Sequence, residues 1–235
     1  MSSRPGVSTL GRTRGPGYRE NVRWQAAEFA AHGLRRLHNA VMEHFTTGRL
    51  IARDWTVADL EAGFAIYGRD EVTRWLGPQP RQPVRSLAHM RQVLDRRIAR
   101  GREEPDYGLW PIELRTTGQV AGAVLLSPLP GDGTGVEIGW HLNPDYWGAG
   151  YATEAGRGAI ALAFGLDRVG PDQVWPVMAS RPARPVLDSV QALVDPDNSR
   201  SLDVCRRLGM RHRGQSSQYY GLTLELFELA RAAVS

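Results

Sequence analysis

Residues 136 to 154, VEIGWHLNPDYWGAGYATE, place Gly148 and Gly150 one residue apart, directly after an alternating apolar strand pattern and directly before a helical one. The first N–H groups of a helix have no internal partner, the macrodipole adds partial positive charge, and glycine lets backbone approach an anion without a Cβ between them. The chemistry available is therefore the cradling of a phosphate or diphosphate on backbone N–H groups; the same residues would also make a plain turn, because Gly-x-Gly recurs by chance. Downstream, DPDNSRSLDVCRRLGM brings Asn198, Ser201 and the lone Cys205 within two helical turns. Asp-Asn-Ser reads as a helix cap, and a single helical cysteine reads as a buried small hydrophobe or as a thiol able to move a proton.

Two common nucleotide sites fail against these residues. The dinucleotide fingerprint Gly-x-Gly-x-x-Gly needs glycine where Thr153 stands. A Walker phosphate loop needs lysine, and the chain has none.

The elements that position these residues follow from periodicity. RLIARDW reads as a strand from Arg49, and Thr56 with Asp59 as a capping-box-like start to a helix carrying Leu60, Phe64 and Tyr67. Ser86 opens a second helix through Leu87, Met90, Leu94 and Ile98, expected to end at Gly101. YGLWPIELR and QVAGAVLL form a hairpin about Thr116-Thr117-Gly118, with Pro111 predicting an edge position or a bulge. After VEIGWHL and the glycine turn comes a helix, YATEAGRGAIALAFGL, whose Ala152, Ala155, Gly156 and Ala159 allow close approach to a sheet. Ser189 to Val194 supplies a fifth strand, with QVWPVM as the competing register, and YYGLTLELFEL a closing one. The Pro-rich stretch from residue 171 to 188 is read as a loop insertion.

Ahead of this domain, residues 1 to 19 are rich in arginine, glycine and proline and lack acids, a composition that predicts disorder. From Asn21 to Phe45 a loose apolar stripe predicts a helix. The division expected is an extension over residues 1–45 and one domain over residues 46–235.

Composition bounds the function. The 235 residues carry 29 basic and 25 acidic side chains, a mild excess that suits an anionic ligand without establishing nucleic acid; the arginine tail could touch RNA, but a solvated appendage is the expectation. One cysteine excludes an intrachain disulfide or a multi-cysteine metal site, and the absence of a long apolar run argues against a membrane span. A cytoplasmic protein, monomer or homodimer, without a metal, is the expectation.

Taken in order, the strand, two helices, hairpin, VEIGWHLNPDYWGAGYATEA, helix, VQALVDPDNSRSLDVCRRLGM and closing strands resemble the GNAT acyl-CoA N-acyltransferases, especially the RimJ/RimL-type branch, from about Thr46 to Ala230. The resemblance implies an α/β (α+β) fold with a mixed, mainly antiparallel sheet flanked by helices, and acetyl-CoA as co-substrate with an amine acceptor. It implies that Gly148, Ala149, Gly150, Tyr151 and Ala152 cradle the coenzyme diphosphate. Asp145 departs from the family's Gln/Arg position. It further implies that the backbone of Trp140, His141 and Leu142 pairs with the pantetheine arm, and that Asn198 and Ser201 lie beside that arm and the thioester. Moving an acetyl group to an amine requires a proton acceptor, a backbone donor for the oxyanion and a proton donor for the thiolate. Glu137 is the expected acceptor, with His141 second; a solvent-facing glutamate is the other reading of that strand position. Cys205 stands where many members carry a catalytic tyrosine, so Cys205, Ser201 or solvent is the expected donor. The acceptor groove is expected between residues 71 and 85 and at the insertion. A catalytically silent acyl-CoA-binding module is the alternative.

Overall fold

The computed structural model describes residues 41–77, 81–131, 135–166 and 186–234, together with the backbone of residues 168–169, 172–173 and 175–176. The expected disorder of residues 1 to 19 and the helix expected up to Ala40 lie outside the described residues. Val41–Ser235 forms one compact unit.

Strand β1 (Glu43–Thr46) turns through Thr47 and Gly48 into β2 (Leu50–Arg53). This corrects the helix expected to reach Phe45 and moves the start of the domain ahead of Thr46. Phe45 is fully buried, with its ring 2.1 Å from where a Cβ on Gly158 would lie, and the segment is a strand because it pairs antiparallel with β2, Phe45 opposite Ala52 and Thr46 opposite Ile51. Helices α1 (Leu60–Tyr67) and α2 (Asp70–Thr73) follow, then α3 (Leu87–Glu103). Asp59 accepts from the backbone N–H of Thr56, and Ser86 accepts from that of His89, as their spacing predicts. Helix α3 continues two residues beyond Gly101, where nothing crowds the glycine and Arg100 pairs with Glu104.

Strands β3 (Gly108–Leu114) and β4 (Val120–Pro128) form the expected hairpin, with Gly118 left-handed at φ +72°. Pro111 is not on an edge, because β3 lies between β2 and β4; the register instead shifts immediately after it, between Ile112 and Glu113. Strand β5 (Val136–Leu142) leads to α4 (Tyr151–Phe164). The short strands β6 (Arg168–Val169), β7 (Asp172–Gln173) and β8 (Trp175–Pro176) precede β9 (Ser189–Val194), α5 (Ser199–Arg207), β10 (Arg211–Ser216) and β11 (Leu224–Ala230). Ser189 to Val194 is thus the fifth long strand, and the described residues of QVWPVM are Gln173 in β7 and Trp175–Pro176 in β8.

The main sheet has the order β10-β11-β9-β5-β4-β3-β2-β1-β8. Its pairs are antiparallel except β5 with β9. Both faces are covered. Alternation sends Val136, Ile138 and Leu142 into a core with Ala155, Ala159, Ile160 and Leu208, while Trp55, Ile66, Tyr67, Met90 and Leu94 pack on Val120 and Ala123 opposite. Close packing of α4 rests on its small residues: Ala155 and Ala159 are fully buried, and a Cβ on Gly156 would meet Leu208 at 2.8 Å. Within the described residues, the insertion enters the sheet through β8, which pairs with β1 at the edge remote from the β5/β9 pair. Trp175 and Pro176 therefore lie away from the β5/β9 pair; residues 177–185, on which the expected role at the acceptor mouth or as a surface elaboration also rests, lie outside the described residues.

Candidate active site

The two central strands part company. Parallel β5 and β9 share the single register pair Glu137↔Gln191, whereas β5 pairs with β4 along its whole length. Beyond Glu137 the strands diverge, and residues 138–142 of β5 and 192–194 of β9 line a cavity of about 1150 Å³. A backbone edge released inside a sheet is a row of donors and acceptors for an extended, amide-bearing ligand. Part of that row is engaged locally, since Trp147 Nε1 donates to the carbonyl of Leu142 at 3.0 Å.

One end of the cavity is the glycine turn. Gly148 and Gly150 both have φ +80°, a left-handed conformation that explains the residue type at each position. Gly150 is the N-cap of α4, and nothing lies within 4 Å of a Cβ built on Gly148. Gly148, Gly150, Tyr151, Ala152 and Thr153 line the cavity with the helix N-terminus behind them. Ala149 is not among the lining residues; its carbonyl accepts from Arg49 Nη1 at 2.9 Å. Asp145 is exposed and turned away to Arg69 Nη2, 3.1 Å distant, so its carboxylate does not oppose an anion in the cradle.

A network that local sequence patterns do not reveal holds this turn. Glu154, buried in the first turn of α4, accepts from Thr47 Oγ1 at 2.6 Å, the backbone N–H of Arg49 at 2.8 Å and Arg49 Nε at 2.6 Å. Arg49 also covers the Tyr151 ring at 4.6 Å. The β1–β2 turn and the glycine loop are therefore fastened through one carboxylate.

Midway along the cavity, Asn198 caps α5 by accepting from the backbone N–H of Ser201 at 3.2 Å, while lining the cavity beside it. The capping reading of this residue holds, and the same residue faces the cavity. Trp140 Nε1 donates to Ser201 Oγ at 3.0 Å, which leaves the serine proton free to point elsewhere. Cys205 is not brought to the cavity. It is fully buried in the core with Val204 and Leu208, and burial pushes its thiol up to about 12. A thiol that weak as an acid is a poor donor to a leaving thiolate.

At the vertex of the split lies Glu137, buried, with its pKa pushed up to about 7 by desolvation and moderated by a hydrogen bond from Tyr220 Oη at 2.5 Å. The solvent-facing reading of this strand position is excluded by its burial. His141, on the same strand face, opens to the cavity rather than to bulk water, and Tyr67 Oη lies 3.1 Å from its Nδ1. Desolvation, and then the positive charge of Arg97, push it down to about 3, so the imidazole is neutral and weakly basic near neutrality. Arg97 itself stacks over the Tyr67 ring at 3.9 Å. The segment from Glu71 to Gly77 and Arg81 forms the opposite wall, and Arg81 Nη1 reaches Asp195 at 2.7 Å.

Residues 49–211 match the family model described as an acetyltransferase (GNAT) domain. The chain belongs to the GNAT acetyltransferases, enzymes that use acetyl-CoA as acyl donor. It is 28% identical over 176 residues to the uncharacterized N-acetyltransferase YoaA of Bacillus subtilis, covering 74% of this chain and 85% of that one. Among solved structures it resembles RimJ of Mycobacterium smegmatis in complex with CoA-disulfide, with a TM-score of 0.61 and 18% identity over 80% of this chain and 88% of that one. It also resembles a GNAT-family acetyltransferase from Bacillus anthracis, with a TM-score of 0.59 and 20% identity over 81% and 99% of the two chains. The fold and family expected from the ordered motifs are those found. Among the described residues no helix is long and apolar enough to cross a membrane.

Proposed function

We propose that this protein transfers the acetyl group of acetyl-CoA directly to a primary amine, with Glu137 as proton acceptor. The observation that carries the reading is the split between β5 and β9, which opens at a buried carboxyl group and ends on a helix N-terminus.

In this reading the coenzyme diphosphate lies on the backbone of Gly148, Gly150, Tyr151 and Ala152, and the pantetheine arm runs between the separated strands toward Glu137. Gly148 and Gly150 carry no Cβ into the turn, and the released strand edge suits the amides of that arm, so the residues present fit the ligand. The amine nitrogen attacks the thioester carbonyl carbon. Its excess proton passes, directly or through one water, to Glu137, whose pKa near 7 lets it be ionised yet basic at neutral pH. A backbone N–H in the stretch from Trp140 to Leu142 stabilises the oxyanion as the tetrahedral intermediate forms. The C–S bond then breaks, and Ser201, with its oxygen already accepting from Trp140, supplies a proton to the thiolate and is reprotonated by solvent. Cys205 has no part in this scheme.

The acceptor enters beside Leu125, Trp75, Leu222 and Leu224, a mainly apolar wall with Glu71 and Arg74 at its margin. Its amine belongs to a protein N-terminus or a small molecule. Coenzyme release measured with acetyl-CoA and a panel of peptide and small-molecule amines, with the mass of each product, tests the reading. Amine-dependent release with an acetylated product is expected. Tight coenzyme binding without release on any amine would favour a silent acyl-CoA-binding module.

A further inference from the structure

Strands β10 and β11 are joined by residues 217–223, where Leu222 donates its backbone N–H to the carbonyl of Tyr219 at 3.2 Å. The two central residues of this turn, Tyr220 and Gly221, have φ +59° and +66°. Positive φ at both centres defines a type I′ turn, whose first central position is ordinarily Asn, Asp or Gly. Tyr220 is the one non-glycine residue with positive φ among the described residues. A bulky aromatic side chain there is strained, and 38% of the residue remains exposed, so burial of the ring does not explain the choice. Its hydroxyl does: it reaches down to the Glu137 carboxylate at the vertex of the cleft and donates to Oε2 at 2.5 Å.

We propose that Tyr220 is a positioning residue for the proton acceptor, held by its strained turn so that one phenolic hydrogen bond orients the Glu137 carboxylate and favours its ionised form. The inference rests on the reading of Glu137 as the base. With Oε2 engaged, Oε1 is the oxygen free to face the incoming amine or its water. A hydrogen bond donated to the ionised form favours that form, opposing the desolvation that would otherwise leave a neutral acid.

The other neighbours do not supply this function. Ser127 of β4 and Gln191 of β9, the register partners of Glu137, are not ionisable. His141, on the same strand face, is held neutral. Glu71, Arg74 and Arg81 line the cavity from the opposite wall and Asp195 from the end of β9, but burial and Tyr220 alone account for the displacement of the Glu137 carboxyl.

Tyr220→Phe deletes the hydroxyl and leaves the backbone choice unchanged; Tyr220→Asn deletes it while supplying a residue the turn prefers. Two readouts are needed: the pH dependence of kcat/KM, and the titration of the Glu137 carboxyl followed by carbon NMR in the full chain without substrate. Both variants should move the rise of kcat/KM and the carboxyl titration toward higher pH. The rate should fall about fivefold on the acid side of neutrality and stay within about twofold of wild type above pH ~9. The asparagine variant should show this despite a turn that is no longer strained, whereas a merely structural role predicts that it behaves as wild type. Unmoved titration in both variants overturns the inference. Should Glu137→Gln retain full activity while Tyr220→Phe still moves the carboxyl titration, the base assignment falls and the positioning of Glu137 by Tyr220 stands.

Discussion

Glu154 Oε2 accepts from Arg49 Nε at 2.6 Å across 105 residues of sequence, and the same arginine donates through Nη1 to the carbonyl of Ala149. One side chain thus ties the first turn of α4 to the loop that precedes it and to the β1–β2 turn. The geometry of the glycine loop depends on a residue that touches it from outside.

Arg49→Ala should therefore damage binding and stability together. Glu154 keeps two of its donors, the Thr47 hydroxyl and the backbone N–H of residue 49, so the expected destabilisation is about 1–3 kcal/mol rather than unfolding. Acetyl-CoA affinity should fall because the loop is no longer fixed. Urea denaturation and calorimetric titration of the same variant check both parts; undiminished affinity would separate this network from the coenzyme site.

Gly150→Ala places a Cβ on a residue with φ +80°, a cost of about 1–2 kcal/mol. Gly150→Asp adds a carboxylate at the mouth of the proposed cradle and should abolish measurable acetyl-CoA binding at concentrations that saturate wild type. Thermal melts establish that each variant is folded, and calorimetry reads the affinity. Equal affinity for wild type and the aspartate variant would mean that the turn only reverses the chain.

Stability should vary with pH through two buried groups acting in opposite senses. Glu137 has its folded pKa raised to about 7 from an ordinary 4.5, so the native state binds the extra proton and its contribution is lost as pH rises from 4.5 to about 7. His141 is lowered to about 3 from 6.5, so its native neutral form contributes stability that is lost as pH falls from 6.5 to about 3. Glu137→Gln should accordingly gain on wild type by on the order of 3 kcal/mol between pH ~5 and pH ~8. His141→Gln should flatten the loss on the acid side. Chemical denaturation across the range decides; parallel curves for wild type and Glu137→Gln would contradict the burial assigned to this carboxyl.

Cys205→Ala should leave kcat within about twofold of wild type, because the thiol is in the core and absent from the cavity wall. A thiol-specific reagent should label wild type only upon unfolding. Rapid labelling of native protein with loss of turnover would return the thiol to the mechanism.

Much of the site was legible because it is local. VEIGWHL alternates over its length and is punctuated by glycines, and the strand it predicts, Val136–Leu142, is the one found. Gly148, Gly150, Asn198 and Ser201 stand in short motifs, and the cavity gathers all four. What failed was set by distant partners. Glu43–Thr46 is a strand that pairs with β2 and buries Phe45 against Gly158, more than a hundred residues away, and four residues following helical text carry no periodicity of their own. Arg49 with Glu154 and Tyr220 with Glu137 are pairs that only tertiary contact creates. Tyr220 had one readable sign, its place before Gly221 in YYGLT, where a turn residue is ordinary and tyrosine is not. Cys205 misled because its alignment with a family position spoke to sequence register and not to depth; the helix turns that position into the core.

The most direct test of Glu137 as the base in a coenzyme cleft is Glu137→Gln compared with wild type, measuring kcat with a saturating amine and the dissociation constant of acetyl-CoA on the same preparations. A loss of at least about 10² in kcat, an unchanged dissociation constant and, for wild type alone, a rate that rises through pH ~7 are expected. A variant that turns over at the wild-type rate with the same pH profile would contradict the role of Glu137 as the base.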